Sequence, residues 1–465
     1  MANAGARARL AVAACLACGL ATAPAPAFGS GFAAAEFGGE HGNVVTTNPT
    51  ALYFNPAGIA LGAGTRLYVS GVLALRRASW SHTQAASEAP EPPGAEGADT
   101  GQARFSNLFG APALAATTSF RWLALGGAFY VPFGGRVHWD PNSRFANDPN
   151  FPLAADGVQR WHIIQGAVTS FYFTVGAALR LGPVALGVTA NLVRSSVSIR
   201  QAKSFNPQQV VDPLNEGRIG IDVAGTHASF GLGAMVEAVR ERLWLGASYQ
   251  AQPGLGAITL DGTLSTSMGA DVAPPRAVTY THALPDIVRA GLRARPMWGR
   301  RAIELRLFGD LTRWSRLQTQ CVSVQGAPCA VFPDGTDATP GATTIQNIRR
   351  RWNDTYGVNL GVSYWMTDAV ELFGGAGFAT AATPDATLDP MMPDARNIRF
   401  AAGGRFAVPG GFHITAGLTT VQYAARDNTG RSMLTDAQLP TRRPDGGGRY
   451  ELWLGLFQVS LEKQL

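Results

Sequence analysis

Along most of this chain apolar residues alternate with small or polar ones at a period of two, the pattern of strands that present one apolar face. The clearest run sets Tyr356, Val358, Leu360, Val362 and Tyr364 against Gly357, Asn359, Gly361 and Ser363. Leu67, Val69, Gly71, Leu73 and Leu75 alternate in the same way, as do Val184, Leu186, Val188, Ala190 and Leu192. The pattern predicts strands at about 66–80, 113–121, 123–133, 162–181, 183–199, 222–239, 241–266, 276–296, 301–313, 353–366, 369–380, 397–408, 411–425 and 449–463, fourteen in all. Their connections alternate in length. Short turns at Trp122, Gly182, Arg240, 297–300, Thr367-Asp368 and Pro409-Gly410 are interleaved with long stretches at 81–112, 134–161, 200–221, 315–352 and 426–448, rich in Pro, Gly, Asp and Asn.

A soluble sandwich would alternate too, but an even strand count with short turns at one end and long loops at the other is what a membrane-spanning barrel requires. In lipid every backbone group must be paired, and closing the sheet leaves no edge. The expected fold is therefore all-β, a transmembrane antiparallel β-barrel of about fourteen strands. Trp80, Trp122, Tyr130, Trp139, Trp161, Trp298, Trp314, Trp352, Trp365 and Tyr450 fall near strand ends and are expected to form the aromatic girdles at the membrane interfaces. Arg289, Arg293, Arg295, Glu304 and Arg306 lie on the less apolar parity and are expected to face the lumen.

The first 27 residues supply the export route: Arg7 and Arg9, an apolar run from Leu10 to Thr22, and Ala25-Pro26-Ala27 as a small-residue cleavage site. Processing as a lipoprotein at Cys18 is the alternative, disfavoured by Cys15 where an aliphatic residue is preferred. No later stretch holds the roughly 18 uninterrupted apolar residues of a membrane helix. Removal of Arg7 and Arg9 lowers the formal charge from +6 to +4, too small and scattered an excess to indicate nucleic acid. The mature chain keeps Cys321 and Cys329, expected to close a loop disulfide in an oxidising compartment. With no His pair beside them to complete a tetrahedral site, no metal is expected, and no cofactor motif is present. His227-Ala228-Ser229 is the one candidate for catalysis, since residues two apart on a strand share a face, but a polar lumen pair is the preferred reading.

Leu52-Tyr53-Phe54-Asn55-Pro56-Ala57-Gly58-Ile59 fits neither a helix interior nor a central strand, because Pro56 donates no N–H and drives Asn55 out of the α region. Placed after the export signal and Ser30-Gly31-Phe32, and before many alternating strands, Asn55 to Gly58 resembles the N-terminal hatch of FadL/TodX-like outer-membrane transporters. Leu284-Pro285-Asp286, Gly309-Asp310, Trp314-Ser315, Trp352-Asn353-Asp354-Thr355 and Pro384-Asp385 or Pro393-Asp394 are similar to segments of that family in the same order. The chain departs from the pattern in ending at Leu465 instead of an aromatic residue, and in its long Pro-rich stretch from Ser81 to Arg104.

The resemblance implies a signal peptide at 1–27, a hatch at 28–64 and a barrel at 65–465, in the outer membrane of a Gram-negative bacterium. It implies a monomeric, passive, non-enzymatic carrier of long-chain fatty acids or aromatic hydrocarbons, which releases them sideways into the outer-membrane lipid. Asn55, Pro56, Ala57 and Gly58 would hold the hatch to the wall beside the lateral opening. Gly126, Gly127 and Pro132 are where an inward kink of the third strand is expected, because Gly and Pro weaken a ladder locally. An adhesin, receptor or lipid hydrolase built on the same barrel is the alternative.

Overall fold

The computed structural model describes residues 37–85, 90–269, 271–296 and 303–465. The signal peptide, residues 28–36 of the expected hatch, Trp298 and the 297–300 turn lie outside the described residues.

Strands β1 (Gly64–His82), β2 (Gly101–Ser119), β3 (Leu123–His138), β4 (Gln165–Leu181), β5 (Val184–Ser204) and β6 (Glu216–Val239) each cross the wall in one piece. The next four crossings are interrupted. They are β7 (Leu243–Gln250) with β8 (Ile258–Met268), β9 (Asp271–His282) with β10 (Ile287–Ala294), β11 (Ile303–Thr312) with β12 (Thr319–Val324), and β13 (Thr344–Arg349) with β14 (Thr355–Thr367). Then come β15 (Val370–Ala379), β16 (Asn397–Val408), β17 (Phe412–Tyr423) extended by β18 (Arg426–Asp427), and β19 (Arg449–Gln464). Neighbours pair antiparallel throughout, and β19 pairs with β1 from Arg66↔Gln464 to Ser81↔Arg449, which closes a barrel of fourteen crossings.

The alternating faces lie as the sequence predicts. Leu67, Val69 and Leu73, Leu186, Val188 and Leu192, and Tyr356 to Tyr364 on every second position point outward and are exposed, while Arg289, Glu304 and Arg306 point inward and are buried. Placed in hydrocarbon, the outward set faces a solvent of its own polarity.

The aromatic girdle is a misreading at most positions. Trp80, Tyr130, Trp139, Trp161, Trp314, Trp352 and Tyr450 are buried inside, whereas Trp122 is exposed at a short turn. Trp80 shares the parity of Tyr68 and Val72, which face the lumen, so it fills the interior. β2 also starts earlier than expected, at Gly101 instead of 113, and the 315–352 loop carries β12 and β13.

The long loops fold over the far end as a cap held by buried ion pairs. Arg160, fully buried, meets Asp99 at 2.8 Å and Glu216 at 2.8 Å, and Arg350 meets Asp389 at 2.9 Å. Removing one partner of such a pair leaves an uncompensated charge, a cost of about 3–5 kcal/mol. Cys321 within β12 and Cys329 in the loop after it are bridged across a Cα–Cα distance of 6.3 Å.

Two outcomes follow. Thiol labelling of the denatured, unreduced protein should find no free cysteine, and two reactive thiols would refute the bridge. His162 in the cap, bonded through Nε2 to Asp445 O at 2.9 Å, is pushed down to about 4 by burial from an ordinary 6.5. The unfolded ring binds its proton first, so His162 favours the folded cap fully above pH 6.5 and loses that contribution as pH falls toward about 4. Proteolysis of the 139–164 loop should therefore quicken across that window in the native protein and less so in His162→Gln.

Candidate functional site: a plug seat and a break in the wall

Residues 37–63 lie inside the barrel, before β1. A helical turn at Ala51–Phe54 stops at Asn55, whose extended backbone (φ −164°) turns the chain into a 3-10 helix at Pro56–Leu61. Asn55 is fully buried, and its amide uses both ends: Oδ1 accepts from Ala57 N at 3.2 Å, while Nδ2 donates to Val44 O at 2.8 Å and to Ala234 O on β6 at 3.0 Å. One side chain thus fixes the turn and ties it to the wall.

The wall meets the plug with glycine. Gly126↔Gly176, Gly187↔Gly233, Gly246↔Gly291 and Gly361↔Gly375 are paired across neighbouring strands. A Cβ on Gly233 would lie 2.0 Å from Asn55 Oδ1, and one on Gly187 would lie 2.4 Å from Ala57 N. On Gly176 it would meet Leu52, and on Gly375 Glu40. Gly58 belongs to the same fit from the plug side, where a Cβ would lie 2.1 Å from Thr46 O. Two polar side-chain ties reinforce the seat: Glu40 pairs with Arg399 on β16, and His41 meets Glu371 on β15 at 2.8 Å.

The wall is broken between β2 and β3. Their ladder runs only from Leu114↔Phe129 to Ser119↔Ala124, although β2 begins thirteen residues earlier and β3 continues to His138. β1 covers the other edge of β2 along its whole length, and β4 follows β3 to its end. Beyond the break the two edges meet again through Asn107 Nδ2 donating to His138 O at 3.2 Å and Asp140 N donating to Arg104 O at 2.8 Å. The β3–β4 register shifts between Tyr130 and Phe133, one extra residue on β3 at Val131-Pro132. Pro132 thus stands at the bulge, where a missing N–H is tolerated. At Gly126 and Gly127, by contrast, the ladder is regular on both sides; Gly126 gives room to Leu52 of the plug and makes no kink.

The Asn-Pro-Ala turn sits on β5 and β6, about three strand spacings of ~4.8 Å from the break. The plug rings that reach β3 next to its bulge are Phe37, stacked on Tyr130 at 5.0 Å, and Tyr53 at 5.1 Å from the same ring. Arg289 lies over Tyr53 at 4.5 Å.

Two pockets flank this axis. An inner one of about 50 Å³ lies beside the outer half of β3, lined by Val137, Ile163, Val197, Tyr280, Met391 and Met392, with Arg76 as one of its cations. An outer one of about 290 Å³ lies between the loops, with Phe205, Val210, Ile345 and Leu439 on its walls and Lys203, Arg442 and Arg443 beside them. Arg443 is 5% exposed, its Nε has no partner, and Nη2 makes only long bonds to Trp161 O at 3.4 Å and Gln201 Oε1 at 3.3 Å. Burial pushes that guanidinium down to about 10. His227 and Ser229 share the inner face, but Ser229 Oγ donates to Ala251 O at 2.7 Å and His227 Nδ1 is left without a partner, so no hydroxyl is poised on the imidazole.

Asn55→Ala should strip Val44 O and Ala234 O of their donor and loosen the plug by about 1–3 kcal/mol. Gly233→Leu should displace it outright, since its Cβ occupies the place of Asn55 Oδ1. Hydrogen exchange over residues 43–60 in heat-modifiable, folded protein is the check; native-like protection in Gly233→Leu would refute the seat.

Residues 10–430 match the sequence profile of the outer membrane protein transport protein family (OMPP1/FadL/TodX). No curated protein sequence matches the chain. Among solved structures, a Pseudomonas aeruginosa FadL homologue superposes with a TM-score of 0.68 at 18% identity, over 95% of this chain and 99% of its own. The Ralstonia pickettii toluene transporter TbuX gives 0.61 at 13% identity, and the P. putida toluene transporter TodX 0.62 at 13%, each over 90% of this chain and 94% of the other. With nearly the whole sequence inside the profile and the same barrel in these structures, the chain belongs to the FadL/TodX family of outer-membrane transport proteins of Gram-negative bacteria.

Proposed function

We propose that this protein is a passive channel for long-chain carboxylic acids, which enter at the outer pocket, pass to the inner one and leave through the break between β2 and β3 into the membrane. The observation that carries the reading is the β2–β3 ladder, which ends at Leu114↔Phe129 although both strands continue unbroken and stay paired to β1 and β4 on their other edges. A strand edge without a partner is costly in hydrocarbon, so a break with a proline on each side, Pro112 and Pro132, reads as a built feature. The plug, held by Asn55 and the glycine belt, closes the straight path and leaves the side exit.

Hydrophobic cargo would otherwise have to cross the polar outer layer, whereas sideways release returns it to hydrocarbon at roughly 0.8 kcal/mol per buried CH₂. That gradient suffices without an energy source. Both pockets combine apolar walls with cations, and Lys203, Arg442 and Arg443 make no ion pair among the described residues. A carboxylate on an apolar tail satisfies such a site; a neutral aromatic hydrocarbon leaves the cations as they were.

Deleting Pro132 removes the extra residue of β3 and lets the ladder run on. Uptake of a labelled long-chain fatty acid by cells carrying folded variant at normal abundance should fall by an order of magnitude or more. Lys203→Gln with Arg442→Gln should raise the half-saturating concentration for the fatty acid and leave toluene uptake unchanged. Undiminished uptake in the deletion would refute the lateral exit, and native uptake no greater than in cells lacking the protein would favour an adhesin or receptor role.

A further inference from the structure

We infer that the chamber beneath the plug is a binding site for a small free dianion, inorganic phosphate or a short dicarboxylate, that clamps the plug to the wall from the periplasmic side. The chamber, about 460 Å³, lies between the underside of the plug at His41 and Thr46–Asn48 and the short-turn ends of the strands. Its walls are polar and charged, so it does not continue the hydrophobic path above.

Five arginines and three glutamates line it. On one side Arg293, Arg295 and Arg306 converge on the single carboxylate of Glu304, at 3.9, 2.8 and 3.0 Å. On the other, Arg66 and Arg405 share Glu462 at 3.6 and 3.0 Å. Glu371 is taken by His41 of the plug. Counting arginines against glutamates, the lining carries two positive charges in excess.

The donors are in excess as well. Arg306 is 2% exposed, and its Nε and Nη2 have no acceptor; the Nε of Arg293 has none either. A carboxylate offers two oxygens where three guanidiniums bring five N–H groups each, and a buried donor left unpaired costs about 1–3 kcal/mol. Arg293 and Arg295 are oriented by Trp244, over which they lie at 4.1 and 5.3 Å, and a fixed planar fork is the geometry that takes phosphate or carboxylate in two parallel bonds. Arg66 Nη1 already donates to Thr47 O of the plug at 3.3 Å, so an anion held between the arginine groups would touch plug and wall together.

The test uses the full-length protein in a neutral detergent, with no hydrophobic cargo present, so that it stands apart from any transport assay. Phosphate and succinate are titrated calorimetrically against chloride at matched ionic strength, and hydrogen exchange is followed at residues 43–48. Saturable binding with slowed exchange is expected, and Arg295→Gln with Arg405→Gln should weaken binding at least ~10-fold in protein that remains heat-modifiable. Arg77→Gln, on the outer surface over Trp453, should change nothing. No saturable binding, or equal binding in the double variant, would mean that water and chloride fill the chamber. Binding without slower exchange at 43–48 would overturn the clamp.

Discussion

Everything in this wall depends on one constraint: in hydrocarbon a backbone N–H or C=O finds no water and must be paired within the protein. The constraint explains closure by β19 on β1, and it makes any break conspicuous. β2 and β3 part above Leu114↔Phe129, yet each keeps its other neighbour, and the separated edges are rejoined by Asn107 and Asp140. The opening is therefore bounded, with paired strands beyond it on either side. The two prolines fall into place on this view. Pro112 and Pro132 lie in β2 and β3 where a ladder position is free, so the absent N–H leaves no acceptor stranded.

The plug solves a second problem, how a folded segment can sit against a wall of side chains. Paired glycines let the plug backbone approach the strand backbone, and Asn55 then replaces hydrogen bonds that neither could make alone. Because the seat is made of contacts at van der Waals distance, it is intolerant of added volume, whereas the polar side-chain ties of Glu40 and His41 tolerate small shifts. The glycine belt should therefore decide whether the plug is seated, and the charges how firmly.

Strand faces, loop asymmetry and the Asn-Pro-Ala-Gly turn were legible in the sequence, because each rests on local period or local backbone chemistry. The parity of Trp80 and Tyr450 was legible too: both share a face with lumen residues, and proximity to strand ends was the weaker signal. The glycine belt was not legible, because Gly187 faces Gly233 only once the register of β5 on β6 is known. The same holds for the break. Pro112 looked like the end of a loop, and only the pairing of Gly71 with Pro112 shows it to be inside a strand whose other edge is free.

The chemistry above and below the plug differs in kind. Above it, Lys203, Arg442 and Arg443 stand beside apolar side chains without an ion pair among the described residues, which suits a ligand with one charged end and a long apolar body. Below it, arginines outnumber glutamates in a chamber of polar walls, which suits a compact anion and repels an apolar tail. A molecule that follows the first environment has no favourable continuation into the second. On the proposed route its way out at the level of Tyr130 is sideways, where β3 bulges and the β2–β3 ladder has ended, so the electrostatic step across the plug and the gap in the wall would favour the same exit.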